Sequence, residues 1–212
     1  MPSRNEQDYL RYIYELQSKN NRGVKVGEIA KELGISKPSV SEMLSKFKKA
    51  GLVEFKNYGP VSLTKRGIRQ ARIVLRKHRI LEVFFARLLG LKKSFHDEAH
   101  EIEHAISEVA SDRLEKLLKN PKECPDGREI PAKQAKVMTL NSAPLNRQLR
   151  VLFSRIERKE EQSRINALGL VHGEKISVTK RISNGPLIIK VKKSEIVLGK
   201  NISSLIFVEA DK

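Results

Sequence analysis

The chain has 212 residues, of which 39% are hydrophobic, so we expect folded domains with buried cores rather than a disordered chain. Lysine and arginine outnumber aspartate and glutamate by 42 to 25, and the net charge of +17 favours a polyanionic partner, nucleic acid first. A single cysteine, Cys124, excludes an internal disulfide framework and a multi-thiolate metal site within one chain. Apolar runs fall short of the roughly 20 residues that cross a bilayer. The chain start also lacks an apolar secretory segment, so we expect a cytoplasmic protein without a membrane partner.

The N-terminal quarter of the chain predicts three helices. Apolar residues at helical spacing predict the first over Glu6–Ser18 and the second over Val26–Leu33, where Gly34 can supply a left-handed stop. Ser36 can cap the third helix, and Pro38 suits its first turn. Its core-facing stripe would consist of Val40, Met43, Leu44 and Phe47. The second and third helices therefore meet at a glycine-containing turn.

A strand, turn and strand follow over Leu52–Phe55, Asn57–Pro60 and Val61–Leu63. Two helices at a tight turn and then a hairpin predict a winged helix-turn-helix, whose third helix enters the major groove of DNA. The small polar residues of that helix would meet bases, and nearby lysines would bind phosphates. The candidate DNA-binding residues are Ser36, Lys37, Pro38, Ser39, Ser41, Glu42, Lys46 and Lys56. For single residues the alternative stays open that Ser36 only caps the helix and the lysines only solvate it.

Two longer helices are predicted next. Thr64 can cap a helix that runs to about Leu89 and ends at Gly90. Its exposed face would carry Arg66, Arg69, Arg72, Arg76 and Arg79. Ser94 and Asp97 resemble a capping box and predict a second helix from Phe95 to about Lys119, followed by an irregular stretch, Lys122–Pro131. We expect Cys124, in that stretch, to be structural.

Four of the five histidines cluster between positions 78 and 104, together with Glu82 and Glu103. At 100° per residue, one face of the predicted helix presents His96, His100, Glu103 and His104. The opposite, apolar side would carry Ile102, Ala105, Ile106, Val109 and Leu117. Imidazole and carboxylate groups that share one polar face favour a metal site over isolated core histidines.

The segment His100–His104 also matches H-E-x-x-H, the zinc metalloprotease signature, in which Glu101 would be the general base. Glu101 lies off the ligand face, however, and the chain begins with a DNA-binding module. We therefore expect a regulator with no enzymatic activity and no small-molecule substrate. A zinc metallohydrolase using His100, Glu101 and His104, and a metal-independent DNA-binding protein with incidental histidines, remain as alternatives.

The C-terminal third predicts a small β-rich domain. Val137–Arg147 is expected to be a linker, and a short helix is expected around Leu149–Leu168. Alternating or apolar runs then predict strands at Lys175–Ile182, Leu187–Val191, Ile196–Leu198 and Leu205–Val208. Short strands of this kind suggest a small barrel.

Taken together, five segments resemble the diphtheria toxin repressor family of iron- and manganese-dependent transcriptional regulators. They are Asp8–Leu16, Ser36–Ser41, Arg76–Arg79 with Glu82, His96–His104 and Cys124–Pro131. The resemblance covers most of the chain and implies a mainly α protein with a small SH3-like β barrel at its end. It implies a winged helix-turn-helix over residues 1–64, a helical metal-binding and dimerisation domain over 65–140, and a C-terminal domain similar to ferrous transport protein A over 146–212.

The same resemblance implies two metal sites. One would be formed by Asp8, His100, Glu103 and His104. The ancillary site would be formed by His78, Glu82 and His96, and the C-terminal domain could add Glu157 and Glu160. Position 100 holds histidine where better-known members have cysteine or glutamate, and Asp8 is accompanied by Arg11 rather than by an acid.

The function that the resemblance implies is repression of metal-uptake genes. A homodimer would bind palindromic, double-stranded operator DNA when loaded with Fe(II). Mn(II) is the alternative metal for the cell, and Zn(II), Co(II) or Ni(II) could activate the purified protein, because oxygen and imidazole ligands do little to reject them.

Overall fold

The computed structural model describes residues 2–56, 59–133, 136–183 and 185–210. The chain divides into two compact units. The first unit contains Met1–Arg11 and Arg69–Gln134, and the second contains Tyr12–Ile68 and Ala135–Lys212. Within the described ranges, no helix combines the length and the apolar character that crossing a membrane requires.

The DNA-binding module, which belongs to the second unit except for the first turns of its first helix, follows the sequence prediction. Helices α1, α2 and α3 span Arg4–Asn20, Val26–Leu33 and Lys37–Lys49, and strands β1 and β2 span Val53–Glu54 and Ser62–Leu63. Gly34 ends α2 in the left-handed conformation, with φ +66°. Ser36 caps α3 by accepting a hydrogen bond from the Ser39 amide. The antiparallel pair β1 and β2 confirms the hairpin, while the predicted turn residues Asn57 and Tyr58 lie outside the described residues.

The first unit contains most of α4, Lys65–Arg87, as well as α5, Phe95–Ile102, and α6, Glu108–Leu117. The prediction of one continuous helix from Phe95 to Lys119 is wrong. Ser107 has an extended backbone, with ψ 158°, and its hydroxyl caps α6 by accepting from the Ala110 amide. Lys77 donates to the Ile106 carbonyl, which stabilises the turn between the two helices.

Two surface predictions for these helices also fail. Arg72 and Arg76, expected on an exposed face of α4, are buried, and Arg76 pairs with Asp112 and Glu115 of α6. Conversely, part of the expected core-facing stripe is exposed: Ile102 by 39%, Val109 by 64% and Leu117 by 68%. Because α5 and α6 are separate, an apolar residue in one does not share a face with its expected neighbours in the other.

The C-terminal part of the second unit is an antiparallel sheet in the order β3-β8-β4-β5-β6-β7. The strands span Val137–Thr139 (β3), Gln148–Ser154 (β4), Lys175–Arg181 (β5), Leu187–Val191 (β6), Ser194–Leu198 (β7) and Ile206–Ala210 (β8). Helix α7 spans Lys159–Ala167, helix α8 spans Lys200–Ser203, and a 3-10 turn spans Leu140–Ser142. The four predicted strands correspond to β5 to β8, which confirms the β-rich domain.

The segment before β5 differs from the prediction. Val137–Arg147 is not a linker, because β3 pairs with β8 and both Leu140 and Ala143 belong to the apolar core. The expected helix at Leu149–Leu168 begins instead as β4, and only its second half is helical. Residues 149 and 151–153 are all buried, so β4 is covered on both faces. A short, mostly apolar segment of this length suits a buried strand as well as a helix, and periodicity alone does not separate the two.

Candidate metal centre and DNA-binding surface

The first group of possible metal ligands joins α1 to the end of α5. It consists of Asp8, His100, Glu103 and His104, each of which offers one nitrogen or oxygen atom within 4.8 Å of those of the others. His104 Nε2 is 3.0 Å from Asp8 Oδ1 and 3.2 Å from Glu103 Oε1. His100 Nδ1 is 3.1 Å from Glu103 Oε1 and 4.0 Å from Asp8 Oδ1. The structure thus brings together the four residues predicted for one site.

These separations fit donors around a single divalent ion. Bonds of about 2.1 Å place neighbouring donors about 3.0 Å apart and opposite donors about 4.2 Å apart. Asp8 Oδ1 and His104 Nε2 are also buried, and neither makes a hydrogen bond of good geometry among the described residues. Buried polar atoms normally find a partner, and lone pairs that converge without a proton between them are typical of ligands to a cation.

Two residues that the sequence analysis did not select as ligands complete this environment. Gln7 Oε1 is 3.0 Å from His104 Nδ1, so a protonated Nδ1 can donate to the amide and leave Nε2 free to bind a metal. Arg11 is fully buried, with Nε 3.5 Å from Glu103 Oε1 and Nη2 3.4 Å from His100 Nδ1. The signal in the sequence that could have identified them is their position on α1, since Gln7 precedes Asp8 by one residue and Arg11 follows it by three.

The second group contains His78, Glu82 and His96. Glu82 Oε1 is 3.1 Å from His78 Nε2 and 2.8 Å from His96 Nδ1. The two groups are adjacent, because His78 Nδ1 is 2.5 Å from Glu103 Oε2. Burial raises the pKa of Glu82, but hydrogen bonds with His78 and His96 outweigh burial and lower that pKa to about 2. Glu82 is therefore a carboxylate at neutral pH, as a metal ligand must be.

Burial and the surrounding charges also act on the other members. Burial raises the pKa of Glu103, but His78 and Arg11 outweigh it and hold that pKa below its ordinary value. Burial lowers the pKa of His104, which favours the neutral imidazole that binds metals. An ionised Glu103 and a neutral His104 are the forms of these residues that bind a cation.

Cys124 lies beside the second group, together with Glu82 and Asp126. Burial and the neighbouring Glu82 raise the pKa of its thiol to about 11, so it is protonated at neutral pH and interacts with the carboxylate as a thiol. This environment differs from the electropositive surroundings of reactive cysteines. It agrees with the expectation of a structural residue.

The sequence offers three further carboxylates as candidates. The Glu101 side chain is 69% exposed and pairs with Arg4 at 3.1 Å, so it is separate from the ligand group. Glu157 and Glu160 belong to the second unit, where Glu157 pairs with Lys56 at 3.6 Å and Glu160 lies in the first turn of α7. A ligand role for Glu157 and Glu160 stays a prediction.

The predicted DNA-reading residues form one exposed surface. Those on and before α3 are Ser36, Lys37, Pro38, Ser39, Ser41, Glu42 and Lys46, and all of them are exposed, as is Lys56 beyond β1. Val40, Leu44 and Phe47 are buried on the other side of α3. This division between an exposed polar face and a buried apolar face is the one that a recognition helix requires.

The fold and the ligand groups define a helix-turn-helix transcriptional regulator with a metal-binding domain. Comparison with known families supports this class: the N-terminal DNA binding domain of the iron dependent repressors matches residues 1–61. Their metal binding and dimerisation domain matches residues 64–132, and a FeoA domain matches residues 138–210. The chain belongs to the iron-dependent repressor family, which includes the diphtheria toxin repressor.

Individual relatives agree with this assignment. An uncharacterized HTH-type transcriptional regulator of Methanocaldococcus jannaschii is 35% identical over 122 residues, 57% of this chain and 98% of that protein. The iron-dependent repressor IdeR of Mycobacterium tuberculosis is 36% identical over 124 residues, 58% of this chain but only 54% of that protein. The solved structure of the manganese regulator SloR is 27% identical, with a TM-score of 0.55, and the match covers 97% of this chain and 98% of SloR. These regulators give no support to the zinc metallohydrolase alternative.

Proposed function

We propose that the protein is a homodimeric repressor that binds palindromic operator DNA when loaded with Fe(II) and controls metal-uptake genes. The observation that carries this proposal is the convergence of Asp8 with His100, Glu103 and His104. The bound cation would supply the positive charge that lets two carboxylates share one site. Asp8 is on α1, whose later turns belong to the DNA-binding module, so ligation by Asp8 would tie the orientation of that module to metal occupancy. The coupling is a shift in population between two orientations.

The division of labour that we propose follows the domains. Residues 1–64 would bind DNA, residues 65–140 would bind metal and dimerise, and residues 146–212 would form an SH3-like domain. Acting on operator DNA, the protein would work in the cytoplasm, with no catalytic residues and no small-molecule substrate. Glu157 and Glu160 would be additional ligands of the ancillary site, beside His78, Glu82 and His96.

The homodimer is supported by exposed apolar side chains in the first unit. They are Leu88, Leu89, Ile102, Val109 and Leu117. Large apolar side chains that stay exposed on a folded domain are available to be covered by a second protomer. A twofold dimer would present two recognition helices to two half-sites, which is what a palindromic operator requires.

We expect iron rather than manganese to activate the protein in the cell. The ligands are oxygen and imidazole, which accept several divalent metals, so availability must select among them. Arg11 and His100 stand where the manganese-sensing branch uses carboxylates for a two-metal cluster, and buried Arg11 adds positive charge beside Glu103. The relatives divide: IdeR is named iron-dependent, and SloR is named a manganese regulator.

The metal that activates the protein in the cell can be identified by measuring transcript levels of target genes. The cells are depleted of metals and then resupplied with one metal at a time. Iron should restore repression. Derepression that manganese relieves and iron does not would overturn the iron assignment while leaving the metal-dependent regulator intact. Purified protein should also respond to Zn(II), Co(II) or Ni(II), which would not bear on the metal used in the cell.

The DNA-reading surface gives a separate prediction. Ser39→Ala or Glu42→Ala should change sequence preference, because both residues are exposed at the start of α3, where base edges are read. Lys56→Ala should weaken binding to all DNA sequences about equally and reduce the salt slope of binding by about one unit. Binding to selected and random duplexes over a range of salt concentrations separates the two effects. Equal loss on both duplexes for all three variants would remove Ser36–Glu42 from the recognition surface.

A further inference from the structure

The C-terminal domain is joined to the DNA-binding module by a buried polar network around Asn21. The Asn21 side-chain amide donates to Asn166 Oδ1 at 2.7 Å and to the Leu170 carbonyl at 2.8 Å. Its side-chain and main-chain oxygens accept from the Ser154 amide at 3.0 Å and from the Ser154 hydroxyl at 2.7 Å. Because buried amide and hydroxyl groups left without partners are costly, this network fixes the two parts of the second unit together.

An aromatic cluster and an ion pair extend this contact toward the wing. Phe153 lies edge-on to Tyr14, with ring centroids 6.3 Å apart, and stacks on Phe207 at 5.2 Å. Arg155 packs over the Phe207 ring at 4.2 Å and pairs with Glu54 of β1. Glu157, two residues further on, pairs with Lys56 at 3.6 Å. The segment after β4 therefore follows the wing side of the DNA-binding module.

This segment borders a groove of about 960 Å³ between α3 and the wing. Its lining includes Lys25, Ser41, Ser45, Phe55, Glu157 and Lys159. Lys25 immediately precedes α2, Ser41 and Ser45 are exposed on α3, and Lys159 is exposed at the start of α7. Cations beside the N-terminus of a helix favour an anionic occupant, and a recognition helix in the major groove brings the residues that flank it toward the DNA backbone.

We propose that the C-terminal domain forms part of the DNA-binding surface, with Lys159 contacting a backbone phosphate at this groove and Glu157 competing with phosphate for Lys56. The inference rests on the proposed function, since it requires a protein that binds duplex DNA. Lys159 adds a phosphate contact from outside the winged helix. Glu157 holds Lys56 in the absence of DNA and must release it when Lys56 meets a phosphate.

The two residues should have opposite effects on DNA affinity. With metal at saturation, Lys159→Ala should weaken binding about three- to tenfold and reduce the salt slope by about one unit, as the loss of one phosphate contact does. Glu157→Gln should tighten binding about two- to fivefold, the range expected for one exposed ion pair. In a Lys56→Ala background, Glu157→Gln should have no such effect, because the lysine for which it competes is gone.

A second ion pair in the same domain, between an exposed lysine and a half-buried glutamate, supplies the controls. Lys192 and Glu174 lie 3.8 Å apart and do not line the groove, so Lys192→Ala and Glu174→Gln repeat both charge changes elsewhere. They should leave DNA affinity unchanged. Fluorescence anisotropy on a labelled duplex gives the affinities, and calorimetric titration with Co(II) gives, for each variant, the metal concentration at which it is saturated.

Several results would overturn the inference. Equal effects from the control pair would mean that only net charge matters, and a Glu157→Gln gain that persists in the Lys56→Ala background would exclude competition for Lys56. A Glu157→Gln variant that shows no gain in DNA affinity at saturating Co(II) would also exclude this competition, whatever its Co(II) affinity. Absence of DNA binding by the unaltered protein would overturn the proposed function as well, whereas metal-dependent binding that Lys159→Ala does not weaken would overturn this inference alone.

Discussion

Glu103→Gln and His104→Ala should each abolish metal-stimulated DNA binding, while Glu101→Gln should leave it nearly intact. Glu103 is fully buried and, like His104, points into the ligand group, whereas the Glu101 side chain is 69% exposed and pairs with Arg4. Loss of a residue that only orients a ligand costs about 10- to 100-fold in metal affinity, so loss of a ligand should cost at least that. Metal titration and DNA binding of the three variants, side by side, provide the measurement.

A control for folding is needed because Glu103 also faces Arg11 and His78. Its neutralisation leaves a buried guanidinium without its carboxylate, which is destabilising in its own right. Thermal unfolding of the metal-free variants separates this effect from ligation, and His104→Ala, which leaves the contact between Glu103 and Arg11 in place, is the cleaner variant. A Glu101→Gln variant that loses metal-stimulated DNA binding would overturn the ligand assignment.

Val109→Glu or Leu117→Glu should convert the proposed homodimer to monomers and reduce operator affinity about a hundredfold or more, the usual gain from linking two binding modules. Both residues lie on α6 with more than half of their surface exposed, at 64% and 68%. A carboxylate there would be desolvated by a second protomer. Val197→Glu is the matched control, because Val197 is 66% exposed on β7 of the C-terminal domain.

Sedimentation velocity and operator binding measure this result together. Val197→Glu should remain dimeric and bind the operator normally. If α6 variants stay dimeric and keep their operator affinity, the exposed apolar surface of α6 is not the interface. The homodimer would then require another surface of the first unit.

The parts of the fold that the sequence predicted well have strong local signals. Gly34 and Ser36 mark the end of α2 and the start of α3 by backbone conformation and capping, and β5 and β6 match their predicted spans closely. The errors occur where local pattern is ambiguous. Leu149–Phe153 reads equally well as helix or strand, and pairing with β8 decides it, which is a long-range contact that periodicity does not report.

In the candidate site, too, local spacing predicted some features, whereas long-range contacts determined the others. Helical spacing grouped His100, Glu103 and His104, and the structure keeps these three together even though α5 ends at Ile102. Spacing also placed His96 on their face, but His96 lies with His78 and Glu82, because the contact with α4 determines its neighbours. Asp8 came only from the family resemblance. Neither the spatial proximity of Asp8 to His100 nor the burial of Arg11 could be predicted from periodicity.

The central claim, that metal controls DNA binding, is tested most directly by one titration. A DNA duplex is first selected from a random library with metal-loaded protein. The protein is then freed of metal with a chelator and titrated anaerobically against this duplex, in the presence of chelator or of Fe(II), Mn(II) or Zn(II). Our account predicts weak binding with chelator and an increase of at least tenfold with metal, lost in His104→Ala. Equally tight binding with and without metal would contradict it and leave a metal-independent DNA-binding protein whose histidines are incidental.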